Sequence, residues 1–350
     1  MRVLIYGAGA VGCYLAGHLA LAGHRVTLVG DGLSVMVARP GRLKLRQVGG
    51  TEYHTPPISM VNRLHDALEV STGFDWVAFT MKSYDTVAAI RDLAGVWPEP
   101  PPVVSFQDGV GNEESLRAAF GLHSVVAATV TSCVSMTEPG TVVEVKREGV
   151  VVSVDAPPGA QVAEALRQTM LPVKLAYDAE GLKWSKLLVS MIGNATAAIL
   201  DMHPRDVFAD PALFAVERAA LRELLAVAAL KGIRLVNLPG APARALAWAG
   251  RWLPAPVLQV VMARRFGQRC SEDIPPLLRE LRAGERRTEV AWLNGAVVQA
   301  ADSIRRLAPI NHALALIVSD IAAGRTPWEV YRHRPDMLLT AIRTAQGLEW

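Results

Sequence analysis

The glycine-rich stretch near the start of the chain constrains the fold more than any other feature. It reads YGAGAVG, follows the β-branched run Arg2 to Tyr6 and places Gly7, Gly9 and Gly12 at the spacing G-x-G-x-x-G before a helical pattern. A strand, a glycine turn and a helix in this order are typical of the phosphate-binding start of a dinucleotide-binding βαβ unit. Gly7 allows the tight turn, Gly9 lets a pyrophosphate approach backbone N–H groups, and Gly12 lets the helix pack close to the sheet.

Cofactor binding is therefore predicted for the loop and for the acid that follows the second β-branched run. The predicted loop residues are Gly7, Ala8, Gly9, Ala10, Val11 and Gly12. Asp31 would accept hydrogen bonds from the ribose hydroxyls of NAD and repel a 2′-phosphate, which favours NAD over NADP. Two alternatives stay open: a glycine turn without a ligand, and a solvated loop aspartate with Arg39 and Arg42 close enough in the chain to neutralise a phosphate.

Hydrophobic patterns divide the chain into two parts. Up to residue 177, short β-branched runs alternate with helical patterns, which is typical of a Rossmann-type α/β domain with a parallel sheet. The runs between 124 and 154 predict further strands, in part antiparallel, with Pro139-Gly140 as a turn. We expect a dinucleotide-binding domain at 1–177.

The second part has a helical texture throughout. Its apolar residues recur at helical spacing, which predicts an all-α domain. The predicted helices cover 180–200, 211–232, 289–306 and 309–323. We therefore expect a helical substrate or dimerisation domain at 178–350, and exposed apolar helices there would favour a homodimer.

The predicted helix from Glu180 to Leu200 carries one polar stripe on an apolar body. Lys186, Ser190 and Asn194 recur every four residues, and steps of four drift by only about 40° around a helix. Because a helix that is apolar on most sides is usually buried, the stripe predicts a cavity lined by an ammonium, a hydroxyl and an amide. Lys186 would donate the proton that a carbonyl needs when hydride arrives. The alternative is a lysine that reaches solvent while the two other side chains bond to backbone.

Composition narrows the classes of partner. The chain has 350 residues, with 36 basic and 33 acidic ones scattered along it, so the sequence predicts no nucleic-acid partner. Three well-separated cysteines without a CxxC motif favour a reducing, cytoplasmic setting, and no secretory signal is visible. The longest apolar stretch is interrupted by prolines and an arginine, so no membrane partner is predicted, and no histidine or cysteine spacing predicts a metal site.

Several motifs in a fixed order resemble those of the ketopantoate reductase family. In chain order they are GAGAVG, MKSYDT, FQDGVGNEE, WSKLLVSMIGNATAAI, AGERRTEVAWLNGAVV and APINHAL. The resemblance spans most of the chain, apart from 235–273 and the last two dozen residues. It implies a Rossmann domain, a helical domain, and a cleft where a nicotinamide cofactor reduces a 2-oxo acid.

The resemblance also implies roles for individual residues. Lys186 would be the acid/base lysine, and Asn194 would contact the substrate, with Ser190 beside it. Glu289 would hold the cofactor or the substrate hydroxyl, and Lys82 would lie beside the nicotinamide. The residues alone leave alternatives open, since Lys82 reads equally as a surface lysine and Glu289 as an acid that stabilises a helix start.

Four positions depart from the family pattern. The family usually has asparagine where this chain has Asp108 and Ser190, serine where it has Pro276, and an NADP-recognising arginine where it has Asp31. Asp108 would contact the cofactor, but in place of an asparagine it lacks an amide donor and would add a negative charge near the substrate. Without one of these polar groups, the binding of a buried anion would be weaker by about 1–3 kcal/mol. A bulkier or more apolar carbonyl or imine is therefore a second hypothesis for the substrate.

Two functions of different classes follow. The first is an NAD(P)-dependent oxidoreductase acting on a small-molecule 2-oxo acid or related carbonyl, and NADP is the usual cofactor of the family that it resembles. The second is a non-catalytic dinucleotide-binding protein such as a redox sensor. Lys186, Asn194 and Glu289 favour the enzyme, whereas Asp108, Ser190 and Pro276 favour the sensor or a changed substrate.

Overall fold

The structure is a computed structural model that describes residues 1–30, 41–71, 73–266 and 274–347. The chain forms two compact units. Unit 1 comprises Met1–Gln107, Gly111–Lys183 and Leu238–Gly240, and unit 2 comprises Asp108–Val110, Trp184–Asn237 and Ala241–Trp350. The main division falls after Lys183, six residues beyond the predicted boundary at 177, because a helix runs without a break across that division.

Unit 1 is an α/β unit around a twisted sheet, as the sequence predicts. Its strands are β1 (Arg2–Tyr6), β2 (Arg25–Val29), β3 (Lys44–Arg46), β4 (Glu52–His54), β5 (Ser59–Val61), β6 (Trp76–Phe79), β7 (Val103–Ser105), β8 (Val125–Val130), β9 (Cys133–Glu138), β10 (Thr141–Lys146), β11 (Val150–Ser153) and β12 (Val173–Ala176). Eight of them form one sheet in the order β12-β11-β8-β7-β6-β1-β2-β5. Neighbouring strands in it are parallel except for β8 and β11, which run antiparallel.

The helices of unit 1 cover this sheet. They are α1 (Ala10–Leu21), α2 (Asp66–Val70), α3 (Thr86–Val96), α4 (Asn112–Phe120) and α5 (Pro158–Arg167). Because side chains alternate along a strand, β1 sends Val3 and Ile5 into the core that contains α1 and Leu4 into the core that contains α3. A second sheet, in the order β4-β3-β10-β9, packs against α1. The predicted antiparallel turn at Pro139-Gly140 joins β9 to β10.

Unit 2 is helical, as predicted. The helix α6 (Ala179–Met191) begins in unit 1 and continues into unit 2 from Trp184. The other helices of unit 2 are α7 (Ala195–Leu200), α8 (Pro204–Ala209), α9 (Pro211–Leu230), α10 (Ala243–Trp252), α11 (Ala255–Phe266), α12 (Pro276–Arg282), α13 (Asn294–Ser303), α14 (Pro309–Ala322) and α15 (Pro335–Ala345). The long helix α9 packs against α8, α10, α14 and α15. None of the helices in the described part of the chain is both long and apolar enough to cross a membrane.

Two predicted helices of unit 2 are interrupted. The predicted helix 180–200 ends at Met191 and resumes at Ala195, because Gly193 has a φ of 68°, in the left-handed region. The predicted helix 289–306 begins as a 3₁₀ turn at Glu289–Ala291 and continues as α13 only from Asn294. The stripe of Lys186, Ser190 and Asn194 is therefore not continuous, since Asn194 lies beyond the break.

Candidate functional site

The glycine loop joins β1 to α1 with almost no space for side chains. A Cβ on Gly7, whose φ is 120°, would overlap the backbone of Met81, and a Cβ on Gly12 would overlap the carbonyl oxygen of Gly7. Thr80 fastens the turn, because its hydroxyl donates to the carbonyl oxygens of Tyr6 and Gly7 at 3.1 and 2.8 Å. These two glycines are required by the fold of the loop itself.

Gly9 differs from the other two glycines of the motif. A Cβ there would meet nothing within 4 Å, and the residue is exposed, with Ala8, Ala10 and Val11 partly accessible beside it. Gly9 caps α1 without a side-chain hydrogen bond, and the first turn carries no acidic residue. Because the first N–H groups of a helix lack intrahelical acceptors and attract a phosphate, this open helix start has the form that a dinucleotide needs.

Lys82 lies on the same edge of the sheet as the glycine loop. It follows β6, which pairs with β1 so that Phe79 is the register partner of Tyr6, the residue before the loop. Lys82 is partly accessible and precedes a 3₁₀ turn at Ser83–Asp85. Asp31 and Arg39 lie outside the described residues.

A buried polar network ties the segment after β6 to the segment after β7, and the sequence analysis did not identify it. The Gln107 side-chain amide donates to the Met81 carbonyl oxygen at 3.1 Å and to the Thr86 hydroxyl at 2.7 Å. The Thr86 hydroxyl donates to Asn112 at 2.9 Å, and Asn112 donates to Ser83 at 3.0 Å. These residues belong to the MKSYDT and FQDGVGNEE motifs, so both motifs serve to hold the carboxyl edge of the sheet.

A second lysine of α6 was also missed. Lys183 is buried and forms an ion pair with the buried Glu113, with Nζ and Oε1 2.7 Å apart. Its ammonium also donates to the carbonyl oxygens of Gln107 at 2.7 Å and Ser105 at 3.3 Å. A buried charge with three partners of this kind is satisfied structurally. The sequence signal that could have identified it is a second lysine in an apolar run, three residues before Lys186.

Lys186 and Ser190 are the accessible positions of an otherwise buried helical segment. All the remaining residues from Gly181 to Met191 are buried. The Lys186 side chain is 17 % exposed. The Lys186 ammonium lies 3.5 Å from a carboxylate oxygen of Asp108, whose side chain is 39 % exposed. The predicted polar stripe thus exists over this turn, and its lysine has an acid as an immediate neighbour.

Asn194 is held by backbone groups on both sides. Its side-chain amide donates to the Ser190 carbonyl oxygen at 3.0 Å, and its side-chain oxygen accepts from the Leu277 N–H at 3.2 Å. It is 3 % exposed. Leu277 follows Pro276, the first residue of α12, so Asn194 supplies the cap that the two prolines at this helix start cannot.

Glu217 supports the break between α6 and α7. One of its carboxylate oxygens accepts a hydrogen bond of 2.8 Å from the N–H of Gly193. Burial raises the pKa of this carboxyl group, against the opposing effects of hydrogen bonds from Thr196 and Gly193. Glu217 also lines a small cavity together with Leu188, Asn294 and neighbouring apolar residues. This contact was missed because a single glycine in an apolar run gives no sign of its distant acceptor.

Glu289 is buried at the start of the 3₁₀ turn, and its carbonyl oxygen accepts from the Trp292 N–H at 2.9 Å. The Trp292 carbonyl oxygen in turn accepts from the N–H of Val110, within the short segment that also contains Asp108. A Cβ on Gly109 would meet Trp292, and Gly109 has a φ of 86°. Asp108 is thus held in unit 2 by the chain that follows Glu289.

Metal chemistry has no visible site in the described residues, where no group of three or more potential ligands could hold an ion. Cys13 is a free thiol, and burial raises its pKa to about 12. Cys270 lies outside the described residues.

Family models match both halves of the chain. The model described as "Ketopantoate reductase PanE/ApbA" matches residues 3–155, and that described as "Ketopantoate reductase PanE/ApbA C terminal" matches residues 178–322. Among curated proteins, the 2-dehydropantoate 2-reductase of Archaeoglobus fulgidus is 27% identical over 92% of this chain and 98% of its own length. That of Pyrococcus horikoshii is 24% identical over 91% and 96%.

Solved structures have the same fold. A PanE/ApbA family ketopantoate reductase from Ralstonia eutropha JMP134 superposes with a TM-score of 0.77 at 27% identity, covering 93% of this chain and 99% of that one. A ternary structure of D-mandelate dehydrogenase with NADH and anilino(oxo)acetate superposes with a TM-score of 0.73 at 17% identity, again covering 93% and 99%. The second likeness concerns the fold alone.

Proposed function

The chain belongs to the ketopantoate reductase family, and from that premise we propose that it is an NAD(P)-dependent reductase of a 2-oxo acid or a related carbonyl compound, with Lys186 as general acid/base. The observation that carries the proposal is the accessibility of Lys186 in a helical turn that is otherwise buried. A charged group among buried residues is costly, and such groups occur preferentially at functional sites.

The chemistry uses the ammonium of Lys186 as a proton donor. When bound, a reduced nicotinamide would supply hydride to the carbonyl carbon. Lys186 donates its proton to the carbonyl oxygen, which leaves an alcohol and an amine that takes up a proton from water. Asp108, whose carboxylate lies 3.5 Å from the ammonium, orients the lysine in this proposal.

The remaining site residues have supporting roles in this proposal. Gly7 to Gly12 would bind the pyrophosphate, Lys82 would lie beside the nicotinamide, and Glu289 would hold the cofactor or the substrate hydroxyl. Ser190, one turn after Lys186 and partly accessible, contacts the substrate. Asn194 supports the site structurally, because its side-chain amide already bonds to the backbone of Ser190 and Leu277.

The Asp108 carboxylate favours a substrate that is less anionic than a 2-oxo acid. A substrate carboxylate near Lys186 would meet a negative charge 3.5 Å from the ammonium, and like charges at short range disfavour binding. This is the specific observation behind the second candidate, reduction of a bulkier neutral carbonyl or an imine. Asp108→Asn should then raise kcat/KM for 2-oxo acids relative to neutral ketones by about tenfold.

The deciding experiment is a panel of 2-oxo acids, neutral ketones and imines, assayed with NADH and with NADPH. Lys186→Ala should lower kcat by about 10²–10⁴-fold for the best substrate, whereas Lys231→Ala, an exposed lysine, should leave it unchanged. Unchanged turnover in Lys186→Ala would reject the acid/base role. Tight cofactor binding without turnover of any compound would instead support the non-catalytic sensor.

Cofactor preference follows from Asp31 in this proposal. NADH should bind more tightly than NADPH because the carboxylate repels a 2′-phosphate. Fluorescence titration of both reduced cofactors measures the ratio, and tighter NADPH binding would show that Asp31 does not face the ribose. A homodimer and a cytoplasmic location stay predictions.

A further inference from the structure

The surface charges of α9 to α11 are of one sign. Residues 211–266 contain eight basic and two acidic residues. Both acids are engaged inside unit 2: Glu217 accepts from the Gly193 N–H, and Glu223 accepts from the N–H groups of Ile310 and Asn311 at the start of α14. The exposed charged side chains described in this segment are Arg222, Lys231, Arg234, Arg244, Arg251 and Arg264.

Exposed apolar side chains at helical spacing accompany these charges on each of the helices α10 and α11. Trp248 and Trp252, one turn apart on α10, are 59% and 68% exposed, and Val257 and Val260 on α11 are 49% and 51% exposed. The opposite side of α10 is packed, since Leu246 is buried and Gly250 lies close to Leu221 of α9. Large apolar side chains repeated at helical spacing on the outer side of packed helices mark an interaction surface. We call Arg244, Trp248, Trp252, Val257, Val260 and Arg264 the basic apolar face.

We propose that the basic apolar face docks the protein on the surface of a membrane that contains anionic lipids. Indole rings favour the boundary between headgroups and acyl chains, and valines favour the acyl side of it. Arginines at the rim are attracted to phosphate headgroups. With 10 and 12 residues, α10 and α11 are too short to span a bilayer, so they would lie in its surface. The proposal revises the prediction of no membrane partner, which considered only spanning segments.

Two other occupants fit the face less well. Symmetric pairing with a second copy would place the basic face against itself. The described part of 211–266 has no exposed acid to oppose it, and the exposed Asp206 of the neighbouring α8 is already paired with Arg205 at 3.4 Å. A single-stranded nucleic acid would use the arginines and the indoles but would gain little from Val257 and Val260, which offer no ring for stacking. A lipid surface uses the aliphatic, aromatic and basic members together.

Vesicle co-sedimentation of the full chain tests the proposal. The protein should pellet with vesicles of phosphatidylcholine and phosphatidylglycerol, should stay in solution with phosphatidylcholine alone, and should be released by high salt. The assay does not use reductase activity, so its failure would leave the proposed function standing, and an inactive protein could still bind vesicles.

Two double variants and one control identify the surface. Trp248→Ser/Trp252→Ser should weaken vesicle binding by about tenfold or more. Arg244→Gln/Arg264→Gln should weaken it by about 25-fold, since each arginine near an anionic surface contributes about fivefold. Leu307→Ser changes an apolar side chain that is 85% exposed outside the face, and it should bind like the unaltered protein. Unchanged thermal unfolding shows that each variant is folded.

Several results would overturn the proposal. The first is that the unaltered protein does not bind anionic vesicles. The second is that both double variants bind as well as Leu307→Ser. The third is that the unaltered protein does not bind vesicles and is a dimer by light scattering, and that Trp248→Ser/Trp252→Ser converts it to a monomer. That result would assign the face to a second copy. Retention of a single-stranded oligonucleotide without vesicle binding would assign it to nucleic acid.

Discussion

The glycine loop of unit 1 and the helix break of unit 2 both place polar groups at the end of an apolar element, but they are maintained by different means. The loop consists of backbone positions where a side chain would not fit, at Gly7 and Gly12. The break depends on a side chain from elsewhere in the chain, because Glu217 of α9 accepts a hydrogen bond from the N–H of Gly193. A site encoded in consecutive residues can therefore be read from sequence, whereas one that depends on distant acceptors cannot.

The largest expected effect separates the two kinds of glycine within the loop. Gly12→Ala should destabilise the protein by about 3–5 kcal/mol, because its Cβ would overlap the Gly7 carbonyl oxygen and no rotamer change could relieve it. Gly9→Ala should leave the free energy of unfolding nearly unchanged, since a Cβ there meets nothing within 4 Å, and should weaken cofactor binding. Urea unfolding and cofactor fluorescence measure the two quantities. Equal stability of both variants would contradict the assignment.

The second effect concerns the far end of the broken helix. Asp201, with a φ of 52°, follows α7 and accepts from Arg282 and Arg332, each nitrogen–oxygen distance being 2.7 Å. Asp201→Ala should cost about 2–4 kcal/mol, because it removes a buried carboxylate that joins two arginines. The exposed pair Arg325–Asp320 is the control, and Asp320→Ala should cost less than about 1 kcal/mol. Similar thermal unfolding of both variants would refute the difference.

The third effect tests whether the break needs its acceptor. Glu217→Ala leaves the Gly193 N–H without its partner and should cost about 1–3 kcal/mol. Glu217→Gln keeps an acceptor oxygen and should recover most of this loss. Since burial raises the pKa of Glu217, the folded state binds a proton more readily than the unfolded state, and stability should fall as the pH rises above the usual range of a glutamate. Glu217→Gln should remove that decline, and urea unfolding at several pH values measures it.

The sequence predicted the architecture and the glycine turn between β1 and α1. Alternating β-branched and helical runs indicated the α/β unit, and the helical spacing indicated unit 2, because both patterns reflect which face of an element is buried. It predicted the accessible turn at Lys186 and Ser190, which a local period of four reveals. It did not predict the break at Gly193, since a glycine inside an apolar run also occurs for close packing.

The buried ion pair of Lys183 and Glu113 shows why other parts of the site were missed. Its two charges lie in separate motifs, and nothing in either motif identifies the partner. Lys186, three residues later, reads the same in sequence, although it is partly accessible and pairs with Asp108. Burial and pairing, which distinguish the two lysines, are properties of the packed structure rather than of local sequence.

The smallest effect at neutral pH tests the comparison from the side of unit 1, since α1 also carries a residue that the local pattern does not explain. His18 is 1% exposed, neither of its ring nitrogens has a hydrogen-bond partner among the described residues, and it packs edge-on against Tyr14. Burial, with a smaller contribution from Arg147, lowers its pKa from 6.5 to about 4. Between these pH values the unfolded state binds a proton that the folded state does not, so stability falls as the pH decreases from 6.5 to 4.

His18→Leu should therefore have little effect at pH 7 and make the protein more stable than the unaltered chain by about 2 kcal/mol near pH 4.5. The exposed His123 is the control, and His123→Gln should leave the pH dependence of unfolding unchanged. If His18→Leu has the same acid sensitivity as the unaltered protein, His18 is charged or hydrated in the folded state. A buried charged or hydrated histidine needs polar partners from outside α1. The helix α1 would then depend on distant groups, as the broken helix does, and the two regions would differ only in the glycine loop.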